Sequence, residues 1–380
     1  MSKPKLRFKE FNSEWKNEKL SELSSIIDGD RGKNYPKEND FFDNEYCLFL
    51  NAGNVTKQGF NFNNKLFITK EKDELLRNGK LIRNDIVLTT RGTVGNVVLY
   101  DNVIPYDNVR INSGMVIIRN NDSVIPKYLY SYMKSQMFEN QVSKTNFGSA
   151  QPQLTIKGLE KFSISYPDKN EQVKVSNFLS LLDKKIELQS KKIEDLKLFK
   201  KGLSNKIFSS IDVIKEEKLG NICNITTGKL DANAMVENGQ YRFYTCAKDY
   251  YYIDKYAFDT EALLISGNGA YVGYIHYYKG KFNAYQRTYV LDKFTENIQY
   301  IKVYLDEFLS KRINSEKKEG NTPYIVLSTL SDMKIKLINS NDENKVINTF
   351  NNINIKINKE ELKLNKLIEL KKGLMQNMFV

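Results

Sequence analysis

Arginines, lysines and side-chain amides collect in the Gly-, Asn- and Asp-rich stretches of this chain. The first half holds Arg31 and Lys33, then Arg91, Thr93 and Asn96, then Lys144, Asn146, Gln151 and Gln153. The second half holds Lys229, Lys248, Asn268, Tyr271, Arg287, Lys317, Lys318 and Asn321. Arg, Asn and Gln can read base edges bidentately and Lys can neutralise phosphate, so the chemistry these types support is nucleic-acid binding. Any single one, taken alone, is better explained as a solvated surface group.

Catalytic chemistry has far less material. His276 is the sole histidine, so His-based triads and His-rich metal sites have almost no material, and its neighbours Tyr274, Tyr277 and Tyr278 read it as a strand-face residue rather than a catalyst. Asp332 with Glu343-Asn344-Lys345 is the one nuclease-like spacing, but Glu343 falls where a helix begins and reads as an acid at a helix N-terminus. Arg91-Gly92-Thr93-Val94-Gly95 and Ser266-Gly267-Asn268-Gly269-Ala270-Tyr271-Val272-Gly273 lack the Lys-Ser/Thr of a phosphate-binding loop and the acidic residue of a dinucleotide site. They read as tight turns whose small residues let backbone amides approach phosphates. The Asn/Asp-Pro-Pro-Tyr tetrapeptide of adenine methyltransferases is absent. No catalytic or metal-ligating residue is therefore assigned.

Lys and Arg number 58 against 46 Asp and Glu, a balance of +12, which points to a polyanionic partner. With 41% hydrophobic residues the chain can build ordinary cores, and no apolar run is long enough to span a membrane. Cys47, Cys223 and Cys246 are too few and scattered for a disulfide framework, which predicts a reducing cytoplasm.

The elements that position the loops are two long helices. From Val175, steps of four and three reach Leu179, Leu182, Ile186, Gln189, Ile193, Leu196, Lys200, Leu203 and Ile207, a heptad seam with two polar interruptions. The same ten steps taken again from Val346 read Val346, Phe350, Ile353, Ile357, Glu360, Leu364, Leu367, Lys371, Leu374 and Met378. The interruptions coincide, Gln189 with Glu360 and Lys200 with Lys371, and these four are assigned to coil register. Each helix would be roughly 55 Å long, so the two are expected to pair, antiparallel because the connecting unit need not then span the rod. Gln189 and Glu360 are expected near one another at the centre.

The remaining chain reads as strand-rich and also repeats. Cys47 to Leu50, Lys65 to Thr69, Asp85 to Thr90, Val97 to Tyr100, Met115 to Arg119 and Phe162 to Tyr166 are predicted strands, and a helix from Pro126 carries Tyr128, Leu129, Tyr132, Met133, Met137 and Phe138. Lys19-Leu20 returns as Lys218-Leu219, Val94-Gly95 as Val272-Gly273, Tyr128 and Tyr132 as Tyr300 and Tyr304, and Pro152 as Pro323. The distance between matching positions shrinks from the first of these pairs to the last, so the second copy keeps the framework and rewrites the loops. The predicted class is α+β: two strand-rich globular domains related by pseudo-twofold symmetry and joined by an antiparallel coiled coil. Its boundaries are 1–166 and 212–340 for the globular domains and 167–211 and 341–380 for the helices.

This order, with the Val-Gly turn, the tyrosine helix, the segments Gly148 to Pro152 and Gly320 to Pro323, and Pro167-Asp168-Lys169-Asn170-Glu171-Gln172 leading into the first helix, resembles the specificity subunit of Type I restriction-modification enzymes. The resemblance covers nearly the whole chain. It implies two target recognition domains, each reading one half of a split double-stranded DNA sequence, and coils that hold two modification subunits. Those subunits would methylate adenine with S-adenosylmethionine, and restriction subunits would cleave DNA with ATP and Mg, leaving no cofactor on this chain. The second coil departs from the pattern, opening Asn341-Asp342-Glu343-Asn344-Lys345 without the Pro and the Glu-Gln pair. Two other function classes compete: a single-chain nuclease or methyltransferase, which the missing motifs oppose, and a coiled-coil scaffold, which leaves the basic charge unexplained.

Overall fold

Tyr128 and Tyr300 are each fully buried, and each donates its phenol to a strand backbone, Tyr128 to Ser165 O at 3.0 Å and Tyr300 to Lys336 O at 2.5 Å. A buried phenol needs such a partner, and finding the equivalent partner in both copies confirms that the repeat is structural. The computed structural model describes residues 3–145, 153–316 and 324–380, and contacts divide the chain into two units. One is Met1–Ser190 with Lys363–Val380; the other is Lys191–Leu362.

In the first unit a four-stranded antiparallel sheet runs in the order Ser24–Asp28, Met115–Asn120, Ile86–Thr89, Val97–Leu99. Alternate residues serve two cores. Ile86, Leu88, Val116 and Ile118 pack with Tyr128, Leu129 and Tyr132, whereas Val87, Met115 and Ile117 pack with Leu48, Leu50 and Ile111. The second core is closed by a three-stranded sheet, Phe67–Ile68, Cys47–Leu50 and Val109–Ile111. Every predicted strand is present: Cys47–Leu50 has the predicted bounds, Met115–Asn120 is one residue longer, Phe67–Ile68, Ile86–Thr89, Val97–Leu99 and Ser163–Tyr166 are shorter, and strands such as Lys16–Lys19, Ser24–Asp28 and Val109–Ile111 are added.

The helix predicted from Pro126 through Phe138 is two helices, Pro126–Met133 and Gln136–Thr145. Lys134 N–H is shared between Tyr130 O and Ser131 O, and Ser135 N–H turns to Tyr132 O, so the last turn tightens and the axis restarts. Its counterpart in the second unit, Ile298–Glu316, is unbroken.

The second unit carries a six-stranded sheet in the order Asn224–Thr227, Thr288–Asp292, Phe258–Ser266, Ile275–Ala284, Tyr241–Tyr244, Tyr251–Ile253. Leu263, Ile265, Ile275 and Leu291 pack under Ile298–Glu316, and Ala262, Leu264, Phe282 and Val290 face the other way around Tyr244.

The long helices are Lys169–Ser210 and Ser340–Met378. All twenty seam positions are buried or half-buried. Within the first unit Asp183 pairs with Lys371, and Leu182 and Leu374 flank one core. Within the second, Lys192 pairs with Glu360 and Lys197 with Glu361, both at 2.6 Å, and Phe208 stacks on Phe350 at 6.0 Å. From Lys192 opposite Glu360 to Phe208 opposite Phe350, rising numbers on one helix meet falling numbers on the other, which is antiparallel pairing in the second unit. The helix ends are equivalent as well: Phe379 packs edge-on against Tyr132 at 5.6 Å, and Phe208, its counterpart in the repeat, against Tyr304 at 5.5 Å. Of the register residues, Gln189 is buried, Lys200 is drawn to Glu307 at 2.7 Å, and Lys371 and Glu360 hold the partners named above.

Glu343 lies in the first turn of its helix, as expected, but it is buried and faces Asn297, whose Nδ2 donates to it at 3.2 Å. Burial raises its carboxyl above the ordinary value, the Asn297 bond opposing. The equivalent residue Gln172, also buried, accepts from Ile125 N–H at 2.8 Å and donates to Pro167 O at 2.9 Å. A raised acid stabilises the fold less as pH climbs from its unfolded toward its folded value. Glu343→Gln should therefore stabilise the second unit at pH 8. The gain should vanish near pH 4, where Glu343 is itself protonated; denaturant unfolding at both pH values checks this, and an equal effect at both would contradict it.

Candidate nucleic-acid interface

Strand pairing gathers the loop residues at one end of each sheet. In the first unit Asp28 lies opposite Val116, Met115 opposite Thr89 and Leu88 opposite Val97. The segments after Asp28, before Met115 and between Thr89 and Val97 must therefore emerge together. Gly29 is required there: a Cβ would stand 2.2 Å from Asn112 O.

Arg31 donates to Asp28 Oδ1 and to Ser113 O, both at 3.1 Å, while remaining 45% exposed at its side chain. Ser113 leads into Gly114, whose carbonyl accepts from the backbone of Thr90 and Arg91. Leu154 N–H closes on Thr90 O at 3.1 Å and brings Gln153 alongside. Gln153 then faces Arg91, its amide oxygen accepting from Nε at 3.2 Å and Nη2 at 3.0 Å once the amide is oriented to satisfy both groups. Arg31, Arg91, Thr93 and Gln153 thus share one surface.

The turn itself is built by Thr89, whose hydroxyl donates to Thr93 O and accepts from Asn96 N–H at 3.0 Å. Asn96 Nδ2 is committed to Val55 O at 3.0 Å, so this amide braces the turn against the neighbouring hairpin. Gly92 and Gly95 both have positive φ, and a Cβ at Gly92 would meet only open space. A cleft of about 530 Å³ separates this turn from the hairpin and is lined by Lys57, Gln58, Thr93 and Asn96. Lys33 and Lys144 are exposed. Asn146 and Gln151, with Gly148 to Pro152, lie outside the described residues.

The second unit repeats the wiring with different side chains. Gly267 N–H donates to Arg287 O at 2.9 Å, Gly273 N–H to Ser266 O at 2.8 Å, and Ile325 N–H to Gly267 O at 2.8 Å, matching Thr90 to Gly114, Gly95 to Thr89 and Leu154 to Thr90. Gly228 takes the place of Gly29, with a Cβ position only 1.8 Å from Ala284 O. A cleft of about 280 Å³ is lined by Asn268, Arg287, Thr227, Gln286 and Tyr324. Lys248 lies over the Tyr271 ring at 5.5 Å, and Cys246 Sγ donates to Arg287 O at 3.3 Å, tying that loop to the same end. Lys229, exposed, follows Gly228 directly. Lys317, Lys318 and Asn321, with Gly320 to Pro323, lie outside the described residues.

Lys57, Gln286 and Tyr324 were not singled out by side-chain type. Tyr324, 62% exposed, follows Pro323 as Gln153 follows Pro152, so the repeat itself pointed to it. Lys57 sits in the two-residue turn of the hairpin Val55–Thr56 with Gly59–Phe60, too short a signal to read.

The nuclease-like acids do not act together: Asp332 pairs with Lys218 at 2.8 Å and Glu343 with Asn297. His276 is a strand residue, as expected, with Nε2 2.9 Å from Ala247 O; burial holds its pKa below the usual imidazole value. Among the described residues no trio of His, Cys, Asp or Glu is placed to hold a metal, and no helix is long and apolar enough to cross a membrane.

Residues 12–198 and 213–370 match the profile of the Type I restriction modification DNA specificity domain, once for each half. The chain is 32% identical over 162 residues to the EcoDI specificity subunit of Escherichia coli, 43% of this chain and 36% of that one. It is 24% identical over 293 residues to the MjaIX specificity subunit of Methanocaldococcus jannaschii, 67% of each. The match thus spans little more than a third of the E. coli relative. In fold it is similar to the S subunit of a Type I restriction-modification system from M. genitalium, with a TM-score of 0.66 at 19% identity over 100% of this chain and 99% of that one. A chain from a study of complex assembly in the type I system gives 0.58 at 15% identity, covering 96% and 97%.

Proposed function

The chain belongs to the Type I restriction modification DNA specificity family, and we propose from that premise that each of its units reads one half of a bipartite double-stranded DNA target. The observation that carries the reading is the shared wiring with altered side chains. Both units deliver a glycine turn, an arginine and the residue before Leu154 or Ile325 to one sheet end, yet Arg91 with Gln153 in one is Asn268 with Tyr324 in the other. A common frame carrying two different reading sets is what two different half-sites require.

The helices serve assembly on this reading. Leu181 and Leu188 on the first, and Ile355 and Leu362 on the second, lie off the seam and are 59–67% exposed. Apolar side chains repeated at heptad spacing toward solvent suit a partner protein, and the partners are two modification subunits, joined by restriction subunits. S-adenosylmethionine, ATP and Mg belong to those partners. This chain positions them on DNA and is not itself the catalyst, and the cell's cytoplasm is its compartment.

Gel shift of the purified chain on a duplex across salt concentration is the test. A footprint of six to ten phosphates predicts a fall of about 10³–10⁵ in affinity between 50 and 200 mM salt. Incubation of the same protein with duplex DNA and S-adenosylmethionine, or Mg, should give no methyl transfer and no cleavage. Salt-independent binding, or activity that survives repurification, would overturn the proposal.

A further inference from the structure

We propose that Arg242, a residue outside the loops so far considered, is a second DNA-reading arginine of the second unit, offering its planar guanidinium edge to a pair of acceptor oxygens or nitrogens. The inference rests on the DNA-binding reading given above. Arg242 lies on the strand Tyr241–Tyr244, and its guanidinium carbon stands 4.2 Å from the Tyr250 ring centroid and 4.6 Å from that of Tyr278. Tyr252 packs edge-on against Tyr250 at 5.6 Å, and Tyr244 accepts a long bond from Nη1 at 3.4 Å. Two tyrosine rings therefore hold the cation at cation–π distance and restrain it.

A cation held by rings, with only Nη1 engaged by Tyr244, keeps N–H donors for recognition. Arg242 forms no ion pair with a carboxylate among the described residues, unlike Arg110, Arg119 and Arg83, each of which is paired with an aspartate. The side chain is only half-buried, so solvent and a ligand can reach that edge. A pre-oriented, unneutralised guanidinium has little further freedom to lose on binding, which favours bidentate acceptors over a single charge.

Its position is consistent with the interface. Tyr244, at the end of the same strand, pairs with Ala284, the residue that Gly228 packs against, and the chain then continues through Cys246 and Lys248 to Arg287 and Tyr271. Tyr250 and Tyr252, 37% and 44% exposed, border the cation with aromatic surface. Two sources supply the required pair of acceptors in duplex DNA: the O6 and N7 atoms of guanine and the oxygens of a phosphate.

Full-length protein carrying Arg242→Lys or Arg242→Met separates these. Lys keeps the charge without the fork, and Met keeps an apolar stem between the rings. Binding is read by selection from a pool of randomised duplexes, and by salt titration on one fixed duplex, with the thermal transition recorded for each protein. If guanine is the ligand, both variants lose a G preference at one position of a single half-site, by roughly ten- to hundredfold, with the remaining positions kept. If phosphate is the ligand, the Met variant weakens uniformly across sequences and its salt slope falls by about 1, while Lys retains most binding. Variants that bind and select as wild type does, whatever their thermal transitions, would make Arg242 a packing residue and overturn the inference alone. A wild-type chain that fails to bind duplex DNA would overturn both this and the reading beneath it.

Discussion

Asp73→Ala is expected to destabilise the first unit by roughly 3–5 kcal/mol, because it strands a buried arginine. Asp73 and Arg110 are 8% and 7% exposed at their side chains, and Arg110 Nε donates to Asp73 Oδ1 while Lys80 approaches Oδ2 at 2.5 Å. The remaining guanidinium donors reach Asn78 O at 2.8 Å, Asp73 O at 2.8 Å and Leu76 O at 3.0 Å, so the cation clamps a whole turn onto the strand Val109–Ile111. Without the carboxylate its charge stays buried and uncompensated. The unit's thermal transition should fall on the order of 10 °C. Replacing both partners by apolar residues, Asp73→Leu with Arg110→Met, should recover most of that loss.

The same pair makes an acid-sensitive joint. Burial raises the Asp73 carboxyl, but hydrogen bonds from Lys80 and Arg110 outweigh it and hold the group below the ordinary value. A depressed acid contributes its full stability above the unfolded value, near pH 3.9, and loses it as pH falls through the lower folded value. Stability measured from pH 5 downward should therefore drop in the wild type and change less in Asp73→Ala. An unchanged transition at pH 7 in the single mutant would refute the clamp.

What the sequence made legible depended on the range of the interactions involved. The long helices follow from a local period, and their seam positions are covered, because heptad spacing puts every fourth or third side chain on one face regardless of what the rest of the chain does. Tyr128, Tyr300 and their neighbours were legible for the same reason. The break at Lys134 and Ser135 was not, since it turns on which carbonyl two N–H groups select. Short strands such as Val109–Ile111 exist through pairing with Leu48 to Leu50 and with Gly79 to Leu81, both far away in the chain. Among the interface residues, side-chain type alone selected Arg31, Arg91 and Arg287 but also Asn96, whose amide braces a turn. Arg242 escaped because its neighbours arrive by a return of the chain: Tyr251–Ile253 folds back on Tyr241–Tyr244 and carries Tyr250 over the guanidinium. Nothing in local spacing encodes that contact.

If each unit reads its own half-site, Arg91→Ala and Arg287→Ala should damage different parts of one target. Arg91 is exposed at the glycine turn of the first unit and aligned by Gln153; Arg287 is exposed in the second unit beside Asn268, Gln286 and Tyr324. Their carbonyl and amide frames are held by backbone bonds that survive truncation: Arg91 N–H to Gly114 O at 3.2 Å, and Gly267 N–H to Arg287 O at 2.9 Å. The substitutions therefore remove a reading group and leave the loop standing. Selection from randomised duplexes should show the preference at one or two positions of one block fall by roughly ten- to hundredfold for Arg91→Ala, with the other block intact. Arg287→Ala should give the converse. Because the blocks are read by separate units, the double variant should combine the two losses nearly additively in free energy. Blurring of the same block by both substitutions would mean that the two sheet ends act on one sequence, and the one-unit, one-half-site assignment would fall.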